Sequence, residues 1–101
     1  MKTIGVLTSG GDSPGMNAAI RAVAREAMHN KCKVIGIQRG YKGLLNEEFK
    51  EMKSVDVAGI IQMGGTILGT ARCTEFKEEE VQQKAADICR KHGIDGIVVI
   101  G

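Results

Sequence analysis

The stretch VLTSGGDSPGMNAAIRAV, Val6–Val23, decides how this chain is to be read. A short apolar run breaks at Gly10 and Gly11, and passes Asp12, Ser13 and Pro14 to a third glycine, Gly15. It then turns at once into a helix-forming stretch. Glycine relieves backbone strain and clears space, and a simple turn does not need three of them. With an acid, a hydroxyl and a proline between, they point to a backbone shaped to fit a ligand.

On either side of that loop the hydrophobic period changes. Lys2–Thr8 (KTIGVLT) is short, apolar and β-branched without polar alternation, as a strand buried on both faces would be. From Asn17 to about Asn30, Ile20, Val23, Ala24, Ala27 and Met28 recur on one helical face, with Arg21, Arg25 and Glu26 off it. Lys33–Gln38 predicts a second buried strand, Arg39–Asn46 a loop or single turn, Phe49–Met52 a short edge strand and Val55–Ile61 a short helix. Gly64, Gly65 and Gly69 punctuate another irregular stretch. Lys77–His92 predicts a helix with the stripe Val81, Ala85, Ile88 and Cys89. Glu78, Glu79 and Glu80 open it, Arg90, Lys91 and His92 close it, and Gly93 stops it, all in accord with the helix dipole. Asp95–Ile100 predicts a third buried strand.

Strand, helix, strand, loops, helix, strand is α/β order, with parallel strands and right-handed crossovers. The fold class expected is a doubly wound, Rossmann-like parallel sheet. Because ligands bind at the carboxyl ends of such strands, a chain stopping at Gly101 reads as an incomplete N-terminal part of something longer.

Composition narrows the function. The chain has 101 residues, a net charge of +2, 14 glycines and three aromatics. That charge is too small for nucleic acid to be the default partner, and no basic stripe is interleaved with aromatics. No apolar run is long enough for a membrane helix. Cys32, Cys73 and Cys89 are odd in number and show no CxxC pair, which reads as reduced thiols in a cytoplasmic protein; no metal-ligand set is assigned.

The glycine loop therefore lies between the first strand and a helix N-terminus, where unpaired N–H groups and the dipole make an anion site. Gly10 and Gly15 have the glycine spacing of a P-loop, but Met16 and Asn17 replace its Lys and Ser/Thr, and GxGxxG is absent. Thr70-Ala71-Arg72-Cys73 is a second candidate, since an arginine among small residues can present its guanidinium to phosphate. Arg21 and Arg25 share a helix face one turn apart and repel unless an anion sits between them. Tyr41, in a Gly-flanked loop, is either a core plug or a ring against a ligand. His29 and His92 each end a helix and read as dipole-complementing rather than catalytic.

IGVLTSGGDSPGMNAAIR, followed by GYKGL, GGTILGTARC with EF close behind, and a terminal IVVIG, resembles the N-terminal third of bacterial ATP-dependent 6-phosphofructokinases over essentially the whole chain. The resemblance implies transfer of the ATP γ-phosphate to the 1-hydroxyl of fructose 6-phosphate. It also implies a cytoplasmic homotetramer when full length, with ADP and phosphoenolpyruvate as effectors. Residues 1–101 would be the N-terminal part of the ATP-binding domain of a two-domain kinase, inactive alone. By the same resemblance, Gly11 would lie against the ATP phosphates, Tyr41 and Cys73 would border the nucleotide, and Lys77 would lie near the adenosine. Arg72 would stabilise charge on the transferring phosphate, and Arg21 and Arg25 would bind effector phosphate. The Mg2+ ligand, catalytic base and sugar-phosphate site are expected beyond Gly101. Two departures bear on the effector site: Gly59 where many members carry an acid, and Ser54 where some carry arginine. The alternatives are a pyrophosphate-dependent phosphofructokinase and a nucleotide-binding module without chemistry.

Overall fold

A computed structural model of the chain describes residues 2–10, 15–60, 66–71 and 73–101, with 74 and 75 as backbone only. Its elements are β1 (Thr3–Thr8), α1 (Met16–His29), β2 (Lys33–Ile37), α2 (Gly40–Leu45), β3 (Phe49–Met52), α3 (Ser54–Val57), a 3-10 turn (Thr74–Lys77), α4 (Glu79–Lys91) and β4 (Gly96–Ile100). One sheet runs in the order β3-β2-β1-β4. β1 is parallel to both β2 and β4, and the edge strand β3 returns antiparallel beside β2.

β1 explains the layers. Successive strand residues face opposite sides, and Val6 and Leu7 are both fully buried. Val6 joins Ile20 and Ala24 of α1, Val34 of β2, Met52 of β3 and Val57 of α3 in one core. Leu7 joins Ile37, Leu44 of α2 and Ala85 of α4 in a second core on the other face. Burying each such side chain contributes about 1.5–3 kcal/mol, so a central strand without polar alternation is what two helical layers require. The expected doubly wound architecture is present, with β3 as its antiparallel edge. The α1 stripe lies where its period puts it: Ile20 and Ala24 are buried, and Val23, Ala27 and Met28 are packed at their margin.

Four local expectations change. Arg39–Asn46 holds a six-residue helix, because Arg39 takes the left-handed conformation (φ 59°) and redirects the chain into Gly40. The helix expected over Val55–Ile61 ends at Val57: Ala58 is extended and Gly59 has φ 79°. Lys77 is not part of α4, because extended backbone at Glu78 (φ −79°, ψ 136°) separates the 3-10 turn from the helix. β4 is not buried on both faces; it pairs with β1 on one side, and Val99 is 47% exposed.

The connections place the functional end. From β1 the chain crosses through α1 to β2 on one side, and later through α4 to β4 on the other side. The crossover direction thus reverses between β1 and β4, where α/β sheets open a crevice at their carboxyl ends. Thr8 and Ile100 are register partners there, and the Ser9 N–H donates to the Ile100 carbonyl at 2.8 Å.

Candidate functional site

At that end of the sheet a cleft of about 740 Å3 is lined by Ser9, Gly10, Tyr41, Thr70, Ala71, Cys73, Phe76, Lys77 and Gln82. Its size is within the usual range for small-molecule sites. The floor comes from the end of β1, where Gly10 takes φ 82°, a conformation that disfavours a side chain. Gly11 and the rest of the loop through Pro14 lie outside the described residues, as do Gly64, Gly65 and Arg72.

One wall is α2. Arg39 starts it, and its Nε donates to Glu48 Oε1 at 2.8 Å while Nη2 pairs with Glu48 Oε2. This fork holds the Glu48 carboxyl below the usual carboxylate range. Gly43 lets α2 lie against the preceding strand's exit: a Cβ there would sit 1.4 Å from the Gln38 carbonyl oxygen. Tyr41 projects from this helix and stacks on Phe76 of the 3-10 turn, with centroids 4.1 Å apart and planes at 24°.

The segment leading to the opposite wall is held by a polar network. The buried Thr8 hydroxyl donates to the Gly69 carbonyl at 2.9 Å, and so must accept from the Thr66 hydroxyl at 3.1 Å. The Ile67 N–H donates to buried Asn17 Oδ1 at 2.7 Å, and the Arg39 N–H donates to the Leu68 carbonyl at 2.9 Å. Residues 66–69 are thereby tied to β1, α1 and α2 at once. The chain then delivers Thr70, Ala71 and Cys73 to the cleft. Asn17, at the position where a P-loop would carry a phosphate-site hydroxyl, instead holds this loop.

Of the residues singled out in the sequence, Tyr41, Cys73 and Lys77 come together in the cleft, and Arg72 lies in the chain between two residues that line it. Arg21 and Arg25 are elsewhere, on α1, whose core-facing side packs on the opposite face of the sheet from α2 and α4. Among the described residues neither arginine forms an ion pair. Phe76 and Gln82 were not anticipated. Phe76 carried a signal in being one of only three aromatics in the chain. Gln82 carried none, since a polar residue in a helix's first turn looks like any solvated position.

The lining chemistry is specific: a stacked aromatic pair, the hydroxyls of Ser9 and Thr70, and Lys77 as the only charged lining residue among those described. α1 begins at the same end of the sheet, with no side-chain cap at Gly15 and no acid among the described residues of its first turn, and a helix N-terminus favours an anion. The cleft suits a ligand with a flat ring and a negatively charged tail. No group of three or more His, Cys, Asp or Glu able to hold a metal occurs among the described residues. Among the described residues, those lining the cleft carry no carboxylate. Elsewhere, burial pushes the Cys89 thiol up, and no described helix is long and apolar enough to cross a membrane.

The phosphofructokinase family model matches residues 3–101. A Clostridium acetobutylicum protein named ATP-dependent 6-phosphofructokinase is 65% identical over 101 residues, and one of the same name from Alkaliphilus metalliredigens is 61% identical. In both alignments all of this chain is covered, and it spans 32% of the relative's length. Among solved structures, the phosphofructokinase of Saccharomyces cerevisiae superposes with a TM-score of 0.92 at 48% identity, over 98% of this chain and 14% of that one. A pyrophosphate-dependent phosphofructokinase from Marinobacter aquaeolei shares the fold, with a TM-score of 0.83 at 21% identity, over 98% of this chain and 26% of that one.

Proposed function

The chain belongs to the phosphofructokinase family, and from that premise we propose that it forms the N-terminal part of the ATP-binding domain of a 6-phosphofructokinase. The whole protein would transfer the ATP γ-phosphate to the 1-hydroxyl of fructose 6-phosphate, giving fructose 1,6-bisphosphate and ADP.

The observation that carries the ATP reading is the Tyr41–Phe76 stack, which shares its cleft with Lys77 and with Ser9 and Gly10 just past β1. An aromatic wall supplies apolar contact for a nucleobase, while the helix N-terminus and its glycine loop suit phosphates. Pyrophosphate has no base for the wall to meet. The proposed roles are those that the family resemblance implies. Tyr41 and Cys73 border the nucleotide, Lys77 lies near the adenosine, and Gly11 lies against the phosphates. Arg72 stabilises charge on the moving phosphoryl group, which is the main task of a protein in such transfers. Magnesium bound with ATP would neutralise phosphate charge, and its protein ligand, like the base for the sugar hydroxyl, is expected beyond Gly101.

We assign Arg21 and Arg25 to an effector-phosphate site, with ADP and phosphoenolpyruvate as effectors, in a cytoplasmic homotetramer. Two cations one turn apart without a carboxylate partner among the described residues support an anion there. Ser54 and Gly59 lie in the α3 region that packs against α1, so their departures bear on the same face.

The test is a coupled assay of the full-length protein with fructose 6-phosphate and either Mg-ATP or Mg-pyrophosphate as donor. Turnover with ATP alone is expected. Turnover with pyrophosphate alone, or with neither, would overturn the reading.

A further inference from the structure

The 3-10 turn that carries Phe76 is separated from α4 by extended backbone at Glu78, so no continuous helical ladder holds its angle to that helix. Gln82, in the first turn of α4, spans the gap. Its backbone N–H donates to the Glu78 carbonyl at 3.1 Å, and its side chain folds back so that Nε2 donates to the Phe76 carbonyl at 3.0 Å. A carbonyl only accepts, so the NH2 end of the amide must face it. The Phe76 backbone held in this way presents the ring that stacks on Tyr41.

We propose that Gln82 is a positioning residue for nucleobase recognition: its amide fixes the 3-10 turn so that Phe76 and Tyr41 stay stacked as one wall of the cleft. The inference rests on the reading of this cleft as the ATP site. It selects one end of the ligand, since the bond sets the aromatic wall and not the glycine loop. Losing a single neutral hydrogen bond changes an equilibrium by about two- to tenfold, and that is the loss of affinity expected.

In the full-length protein, Gln82→Met removes the donor while keeping chain length and helix propensity. Gln82→Glu keeps the shape but leaves only acceptors when ionised. Both variants are expected to raise the Kd and KM for ATP about two- to tenfold with kcat near wild type, while binding of inorganic tripolyphosphate, which has no base, is unchanged for Gln82→Met. Hydrogen–deuterium exchange over residues 73–78 should quicken in both variants without any ligand. Wild-type ATP affinity in both variants would overturn the proposal, as would an equal loss for tripolyphosphate in Gln82→Met. A weaker ATP affinity with unchanged exchange would overturn it too, by making Gln82 a direct contact. A wild-type protein that binds no ATP at all would remove the ATP-site reading itself, which is a different result from variants that match a competent wild type.

Discussion

Replacing Gly43 by alanine is expected to break the wall of the cleft from within. The added Cβ would lie 1.4 Å from the Gln38 carbonyl oxygen, and real Cβ atoms essentially never approach a neighbour within 3.0 Å. The obstacle is backbone, so no side-chain rotation relieves it, and α2 must move bodily away from the end of β2. That movement strains the Gly43 N–H bond to the Arg39 carbonyl (3.3 Å) and the Glu48 N–H bond to the Gly43 carbonyl (2.8 Å). It also carries Tyr41 off Phe76. Overpacking of this kind costs about 3 kcal/mol, roughly a hundredfold in the folding equilibrium. Gly96 provides the contrast, because a Cβ there meets only Ile4 Cδ1 at 3.8 Å, an ordinary contact. Gly96→Ala should stay within about 0.5 kcal/mol of wild type. Urea unfolding of the full-length protein, followed by circular dichroism, measures both, and calorimetric titration with ATP measures the cleft. A Gly43→Ala midpoint equal to wild type, or a Gly96→Ala protein equally damaged, would refute the packing argument.

Arg72→Ala in the full-length enzyme should lower kcat by roughly 10³-fold, with a far smaller effect on ATP binding, because a fixed guanidinium acts on charge that develops during transfer; an unchanged kcat in steady-state kinetics would remove Arg72 from the mechanism. Arg21→Ala should weaken activation by ADP while maximal turnover stays near wild type, and a wild-type enzyme indifferent to both ADP and phosphoenolpyruvate would show that no working effector site exists. Glu47 ties the α2–β3 connection to the end of α4, with His92 Nε2 at 2.6 Å and Lys91 Nζ at 3.1 Å from its Oε1. The hydrogen bonds from His92 and then Lys91 lower its pKa from the ordinary 4.5. Its contribution to stability is therefore present above that value and lost as pH falls through the lower folded value. The gap in urea midpoint between wild type and Glu47→Gln should narrow below about pH 4.5 and close in stronger acid; a gap independent of pH would discount the carboxylate.

The sequence by itself determined the layered α/β order. An unalternating Val6–Leu7 and the Ile20–Ala24 stripe each state a local period, and period alone tells a strand covered on both faces from a one-sided helix. Through its family resemblance it also pointed to Tyr41, Cys73 and Lys77, which the structure brings to one cleft. Only the tertiary structure decided what depends on where distant segments meet. The short helix Gly40–Leu45 rests on a left-handed Arg39 whose guanidinium finds Glu48, and the break before α4 rests on extended backbone at Glu78; neither leaves a periodic trace. β4 has the apolar run of a buried strand, yet it lies at the edge of this four-stranded sheet, because burial follows from neighbours and a run of residues does not name them. The cleft is the same case. Phe76 meets Tyr41 across a sequence separation of about 35, roughly ten helical turns' worth of sequence, and Asn17 meets Ile67 across a separation of 50. Contacts made through space at such separations are set by the packing of whole elements, which no local pattern records.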